Sequence, residues 1–364
     1  MTGRKKKSAG RMPLWLYVLI VVAIALVTYF RTSGEPEGGD PQPPEASAAA
    51  QQAPADETLT VRFLDVGQGD SILLACADET MLIDGGPVEE GQFLVSRLNR
   101  LDVTGLTYVI NTHPDEDHCG GLAAVLSGTQ TDAFYCSVDS WHTKAFSDVV
   151  KYADEQGVCV TIPSPGDIFS FGGASVEFLG PVQDYGDDPN EGSLVARVRY
   201  GETSFLFTGD MEQNAEADLM DSGANVRADV LKVGHHGSPT SSSEAFLEAV
   251  APSIAVISVG EDNDYGHPSA DVLARLEALG TAIYRTDTQG EIIITSDGQT
   301  LTVTTDPTSR EPAAGKDAPF IGNRNSMIVH SANCAKLPGE DNRVYFNTAE
   351  EAEEYGYQKH TCIK

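Results

Sequence analysis

Thr112-His113-Pro114-Asp115-Glu116-Asp117-His118-Cys119-Gly120-Gly121 is the stretch that decides the reading of this chain. Four potential metal ligands, His113, Asp115, Asp117 and His118, fall within six residues. An apolar run, GLTYVIN at 105–111, precedes them and reads as a buried strand. GGLAAVLSG at 120–128 follows and reads as a helix. A strand-to-helix loop lets alternating side chains wrap one centre. His113 and Asp115 can then serve one metal, and Asp117 and His118 a second. Imidazole nitrogen and carboxylate oxygen suit zinc, manganese or iron. Helix capping would account for the acidic residues, but not for the two histidines beside them.

Working outward, other strand ends carry matching groups. LFTGD ends in Asp210, a carboxylate placed to bridge two metals. LKVGHHGS sets His235 and His236 after an apolar run, and the sequence does not say which of the two turns inward. LIDGG puts Asp84 at a third strand end, where a carboxylate can orient a ligand from behind. Gly67-Gln68-Gly69-Asp70 reads as a tight loop bordering the site, and YGHP offers His267. One strand-end Asp is most often a turn residue. Several such ends in one order are hard to assign to turns alone.

The surrounding pattern is a strand series interrupted by helices. LTVRFLDVG, DSILLA and TMLIDGG read as consecutive strands, and residues 90–101 as a helix. The β series resumes with alternation from Ile168 to Ser175, then ASVEFLGP, SLVARVRYG and TSFLFTGD. EAFLEAVAP and ADVLARLEALG are helical, with IAVISVG a strand between them. EIIITSDGQTLTVTT reads as a closing hairpin with an Asp-Gly turn. Without simple βα alternation, this order suits two packed sheets with helices outside.

The 364 residues leave room for such a domain and appendages. Residues 1–13 are a basic, cytoplasmic N-terminus. The apolar run 14–30 spans roughly 25 Å as a helix, enough for a short membrane crossing. A small-residue stretch at Ala46–Ala50 lies too far beyond it to be its cleavage site, so an uncleaved signal anchor is expected. The basic flank stays inside and the body faces out, at the cell membrane. Residues 31–57 read as a disordered tether, 58–306 as the main domain, 307–318 as a polar linker, and 319–364 as a small Cys/His module.

Charge restricts the partners. Residues 1–31 hold six basic and no acidic residues, and the other 333 hold 18 basic and 54 acidic ones, a balance of −36. So acidic a body counts against tight, unaided binding of nucleic acid. Six cysteines show no CxxC spacing. Disulfides are permitted outside the cytoplasm, with connectivity illegible from sequence.

The set THPDEDH, GD and HHGS in this order resembles the metallo-β-lactamase superfamily. FLDVGQGDSILL, LIDGG, HPDEDHCGGL, LFTGD, LKVGHHGS, YGHPS and YRTDTQGEIII more specifically resemble the hydrolase domain of ComEC-type DNA-competence proteins, over about residues 59–305. The resemblance implies an α/β fold, a four-layer αββα sandwich, with two divalent metals at one edge. By position it implies His113, Asp115, Asp117, His118, Asp210 and one of His235/His236 as ligands. Asp117 would hold or deprotonate the attacking water, and His267 would serve the leaving group or add a ligand. Asp84, Asn190 and Asp70 would support the centre. Asp115 stands where the wider superfamily usually has His, and the His expected before the bridging Asp is missing, with Asn190 in that region. These departures make the donor set richer in oxygen and favour Mn²⁺ over Zn²⁺.

The last segment resembles the small zinc-binding module related to that of the Ada repair protein. His330 and Cys334 match its HxxxC half, whereas the other half reads His360-Thr361-Cys362 in place of CxxC. A structural Zn²⁺ on these four residues and a Cys334–Cys362 disulfide are both open. The expected protein is a membrane-anchored, outward-facing metallohydrolase acting on phosphodiesters, DNA foremost. The chain carries one apolar run, so translocation through a multi-helix channel is not expected of it. The alternatives are hydrolysis of another ester, a lactone or a cell-envelope phosphodiester, and a non-catalytic binding protein.

Overall fold

Side-chain alternation builds the first sheet. In β1 (Leu59–Phe63), Leu59, Val61 and Phe63 are buried, whereas Thr60 and Arg62 are partly exposed. β2 (Ile72–Cys76) turns Ile72 and Leu74 to the same side and Leu73 to the other. β3 (Glu79–Ile83), α1 (Gly91–Arg100), β4 (Gly105–Asn111), α2 (Glu116–Cys119), α3 (Leu122–Gly128), β5 (Gln130–Cys136), α4 (Lys144–Gln156) and β6 (Val160–Thr161) follow. The computed structural model describes residues 58–261, 263–310 and 318–363. The segments read as anchor (14–30) and tether (31–57) lie outside these. Among the described residues, no helix is long and apolar enough to cross a membrane.

The second half comprises β7 (Ile168–Phe171), β8 (Ala174–Gly180), β9 (Val195–Tyr200), β10 (Thr203–Phe207), α5 (Gln213–Asp221), β11 (Val230–Lys232), α6 (Glu244–Val250), β12 (Ile254–Ile257), α7 (Ala270–Ala278), β13 (Ala282–Arg285), α8 (Thr286–Gln289), β14 (Glu291–Ser296) and β15 (Leu301–Asp306). One sheet has the order β15-β14-β1-β2-β3-β4-β5-β6, the other β13-β12-β11-β10-β9-β8-β7. Each is antiparallel in one half and parallel in the other. The hairpin β14–β15 closes at Asp297-Gly298, where Asp297 Oδ1 accepts from the N–H groups of Gln299 and Thr300.

Three apolar layers hold four structural layers together. Phe63, Leu74 and Ile83 meet Phe178, Val198 and Phe207 between the sheets. The rings of Phe63 and Phe207 lie 6.2 Å apart. Each fully buried side chain of this kind contributes about 1.5–3 kcal/mol. The outer face of the first sheet packs Leu73, Leu82 and Phe134 on Leu94, Leu122 and Phe146 of the helices. The second sheet packs Leu206 and Leu231 on Leu219, Leu247 and Val272. The αββα sandwich expected from the sequence is the observed one.

α4 carries an apolar stripe of Ala145, Phe146, Val149 and Ala153, the hydroxyl of Thr143 accepts from Phe146 N–H at its start, and Gly157 ends it at φ 76°. The small module forms a separate sheet, β18-β16-β17-β19, from β16 (Phe320–Asn323), β17 (Ile328–Ser331), β18 (Arg343–Phe346) and β19 (Gln358–Lys359), with α9 (Ala349–Glu354). It leans on α1, where the Arg100 guanidinium lies 3.8 Å from the ring centre of Tyr355. Residues 307–310, read as the start of a polar linker, are docked on the main domain. Ser309 is buried, and Arg310 pairs with Glu90 at 2.5 Å and Asp65 at 3.4 Å.

Candidate metal centre

The C-terminal ends of β3, β4, β10, β11 and β12 lie along one edge of the sandwich, and the loops beyond them carry the site. This is where open α/β sheets usually place their ligands, because parallel strands all end on the same side. The loop after β4 is tied to the opposite sheet by Leu194 N–H donating to Thr112 O at 2.8 Å. Two glycines allow the close approach. Gly209, at φ 51°, would set a Cβ 2.8 Å from that of Thr112, and Gly69 would set one 2.3 Å from the Asp117 carbonyl.

His118, Asp117, Asp210 and His236 form the tightest group, with one donor atom from each lying within 4.8 Å of the others. Nε2 of His118 and Nε2 of His236 face each other at 3.4 Å. Asp210 Oδ1 lies 3.1 Å from the first, and Asp210 Oδ2 3.4 Å from the second. Asp117 Oδ2 lies 3.2 Å from His236 Nε2. Asp117 and His118 stand together in this group, and His113 and Asp115 lie beside each other outside it. The loop folds so that Asp117 and His118 meet residues from the second sheet.

Behind each ring sits an acceptor that sets its tautomer. His118 Nδ1–H donates to Asp84 Oδ2 at 2.9 Å, and His236 Nδ1–H to the Ser258 carbonyl at 2.8 Å. Both Nε2 atoms are thereby turned toward the centre as lone-pair donors. Asp84 also accepts from Asn111 Nδ2, Thr112 N–H and Thr112 Oγ1, so its carboxylate is fully engaged away from the centre. His235 follows the same pattern at the rim, with Nδ1 2.8 Å from Glu212 Oε1 and Nε2 3.7 Å from Asp210 Oδ2. Of the histidine pair, His236 is buried in the group and His235 stands half-exposed beside it.

His113 and Asp115 flank this group. His113 Nε2 is buried without a hydrogen-bond partner, 3.8 Å from Asp115 Oδ2. Asp115 occupies the N-cap position of α2, yet its side chain caps nothing and remains free for the site. Asn190 Oδ1 and His267 Nδ1 are likewise buried and unpartnered, and both residues line the cavity over the centre. Asp70 lies beneath, with Oδ2 2.6 Å from Lys232 Nζ.

Electrostatics follow from this crowding. Burial pushes the His118 and His236 imidazoles down, but the Asp210 carboxylate wins and holds both well above the usual histidine range. Burial raises Asp210 and Asp117, but the neighbouring imidazoles hold both below the usual carboxylate range. His113, desolvated and beside His118, is pushed down to about 3, and burial together with the Asp117 charge raises Asp115. Protons on His118 and His236 thus balance the carboxylates where cations would otherwise sit. Two imidazole nitrogens aimed at each other, an orphaned His113 Nε2 and three converging carboxylates fit divalent metal ions, which would displace those protons.

In the small module, one donor atom from each of His330, Cys334, His360 and Cys362 lies within 4.8 Å of the others. Both cysteines are free thiols. Sγ of Cys334 accepts from Lys336 N–H and Sγ of Cys362 from Ser331 N–H. His330 Nδ1 is buried and unpartnered. The two-nitrogen, two-sulfur set fits one tetrahedral Zn²⁺.

Sequence reasoning missed Glu212, Ser258 and Lys232. Glu212 lies two residues after Asp210, which is a usable signal. Ser258 acts through its carbonyl, which no side-chain pattern reveals.

Residues 64–261 match the Metallo-beta-lactamase superfamily, and the chain belongs to that family. Its fold is that of the superfamily's metallohydrolases. It is 31% identical over 250 residues to ComE operon protein 3 of Bacillus subtilis (strain 168), covering 64% of this chain and 32% of that one. It is 34% identical over 243 residues to Competence protein ComA of Neisseria gonorrhoeae, covering 66% and 33%. The chain spans about a third of the length of these relatives. Among solved structures it is similar to the metallo-beta-lactamase fold protein YhfI from Bacillus subtilis, with a TM-score of 0.43 and 12% identity over 63% of this chain and 96% of that one.

Proposed function

We propose that this chain is a metal-dependent phosphodiesterase, with DNA as its foremost substrate, anchored by residues 14–30 with its catalytic domain outside the cell. The observation that carries the hydrolytic reading is the buried pair of facing Nε2 atoms, 3.4 Å apart and bracketed by Asp210. His113, Asp115, Asp117, His118, Asp210 and His236 would hold two divalent cations, with His235 at the rim. The balance of carboxylates and imidazoles favours Mn²⁺. Held there, such cations would acidify a water near neutral pH and offset the charge developing on the phosphoryl oxygens.

The protein groups do the rest. Asp117, held ionised at the solvent edge of the centre, orients the attacking water and takes its proton. Burial, with the neighbouring His235 and His236 imidazoles, pushes the His267 imidazole below its usual range. It serves the leaving oxygen as a hydrogen-bond donor or adds a lone pair to the centre, rather than delivering a full charge. The relatives' names point to competence, which supports DNA over a lactone. Because the cavity is walled by Asp115, Asp117 and Asp210, it accepts an anionic diester only when cations offset those charges.

The test uses the full-length chain in detergent, stripped with EDTA and reloaded with Mn²⁺, Zn²⁺ or Mg²⁺. Labelled DNA, bis(4-nitrophenyl) phosphate and a lactone are offered. Mn²⁺ is expected to restore cleavage of the diesters, and Asp117→Ala to lower it by roughly 10²–10⁴-fold. Equal cleavage by that variant overturns the site. Lactone turnover without diester turnover overturns the substrate class, and less than one metal per main domain with no turnover favours a binding protein.

For the small module we propose a structural Zn²⁺ on His330, Cys334, His360 and Cys362. Elemental analysis of Cys334→Ser/Cys362→Ser is expected to show one zinc fewer per chain, with diester hydrolysis changed by less than about two-fold. An unchanged zinc content would leave the module without its metal role.

A further inference from the structure

We propose that Tyr265 is a stacking platform for the flat group that flanks the scissile phosphodiester, so that the site prefers esters bearing a nucleobase over purely alkyl ones. The proposal rests on the phosphodiester reading above and names what that site selects.

The cavity over the centre is small, about 150 Å³. A water's share of liquid volume is about 30 Å³, so the space suits the reacting phosphate and a few waters. Whatever flanks that phosphate must lie on the rim. Beside the metal-centre carboxylates and imidazoles, Gln68, Asn190 and Tyr265 line this cavity.

Tyr265 is a large ring left 71% exposed. Its position is nevertheless built. The ring lies nearly parallel to that of His267, 5.7 Å between centres and 23° between planes. His267 in turn meets His235 edge-on at 5.5 Å. A row of rings therefore runs from the edge of the metal centre to the outside. The backbone beneath is stapled by Asn263, whose Nδ2 donates to the carbonyls of Gly260 and His267 while its Oδ1 accepts from His267 N–H. Gly260 N–H donates to Gln68 Oε1 at 3.2 Å, which joins this loop to the opposite lip.

The charge of the protein makes a neutral platform apt. Attraction to a polyanion is unavailable to a body with a balance of −36. Stacking needs no charge and tolerates any base, and removing such a ring costs roughly 5- to 150-fold in binding.

Two esters with the same 4-nitrophenyl leaving group separate the flank from the chemistry: one has thymidine and the other methyl on the second oxygen. With Mn²⁺-loaded full-length protein, Tyr265→Ala is expected to lower kcat/KM about ten-fold on the thymidine ester, through KM, and less than about two-fold on the methyl ester. Tyr265→Phe is expected to stay within about two-fold on both. Equal losses on both esters, or none on either, overturn the proposal. A second readout is independent of turnover: anisotropy of fluorescein-labelled oligothymidylate with Asp117→Asn protein, alone and combined with Tyr265→Ala. Weaker binding in the combined variant by a similar factor supports the platform, and unchanged binding overturns it. Failure of the wild type to cleave either ester counts against the phosphodiester reading and leaves the binding series to decide Tyr265.

Discussion

Asp210→Ala lowers kcat/KM for diester hydrolysis by roughly 10³-fold or more. Its carboxylate reaches three imidazoles, at 3.1 Å from His118, 3.4 Å from His236 and 3.7 Å from His235. Asp210 is buried, and its backbone N–H is fixed by donation to Ser193 Oγ at 3.1 Å. Removing the side chain leaves the facing nitrogens without the charge that gathers them. Electrostatic support by bound cations is worth several kcal/mol in this chemistry, and each 1.36 kcal/mol is a factor of ten. Metal content and kinetics measured together give the check. The variant is expected to hold less than one cation per main domain. Retention of more than about a tenth of the activity at full metal content would show that Asp210 does not bridge.

How far such a site can be read from sequence depends on where its ligands lie. His113 to His118 were legible because one loop carries four donors within six positions. Asp210 and Asp84 were legible as acidic residues ending apolar runs. The choice between His235 and His236 was not, because both take left-handed backbone angles, φ 47° and 51°. Such a turn decides which ring points inward, and neighbouring identical residues carry no trace of it. The sandwich was legible from short apolar runs bounded by Gly and Asp, β1 and β2 among them. α4 and β5 were passed over: α4 buries Ala145, Phe146, Val149 and Ala153 among many polar residues, and β5 buries Thr131, Phe134 and Cys136 at uneven spacing, with no strict alternation to mark it. The docking of Arg310 on Asp65 and Glu90 joins residues more than 200 positions apart, beyond the reach of local pattern.

The same limit hid Lys232, which read as one polar position in an apolar strand. Its side chain is fully buried, with Nζ 2.6 Å from Asp70 Oδ2 and 2.9 Å from the Val233 carbonyl. Asp70 Oδ1 lies 3.5 Å from Nδ1 of His236, and Oδ2 3.9 Å from Nδ1 of His118. Burial raises the Asp70 carboxyl, but the Lys232 charge beside it prevails and holds it below the usual range. The pair is therefore a buried ion pair directly under two ligand rings. Lys232→Met fills the volume but leaves Asp70 without its counter-charge. The expected cost is about 3–5 kcal/mol, which lowers the melting temperature of a domain this size by roughly 10 °C. Asp70→Asn strands Lys232 instead and is expected to destabilise similarly. The double variant Lys232→Met/Asp70→Asn removes both charges and is expected to recover most of the loss, since neutral replacement of a buried pair is often nearly free. Thermal unfolding of the four proteins forms a double-mutant cycle, with a coupling of at least about 2 kcal/mol expected. Additive losses would show that the two charges are stabilised separately. In that case Lys232 would owe its burial to the Val233 carbonyl and the strand, and not to the carboxylate beneath the metal centre.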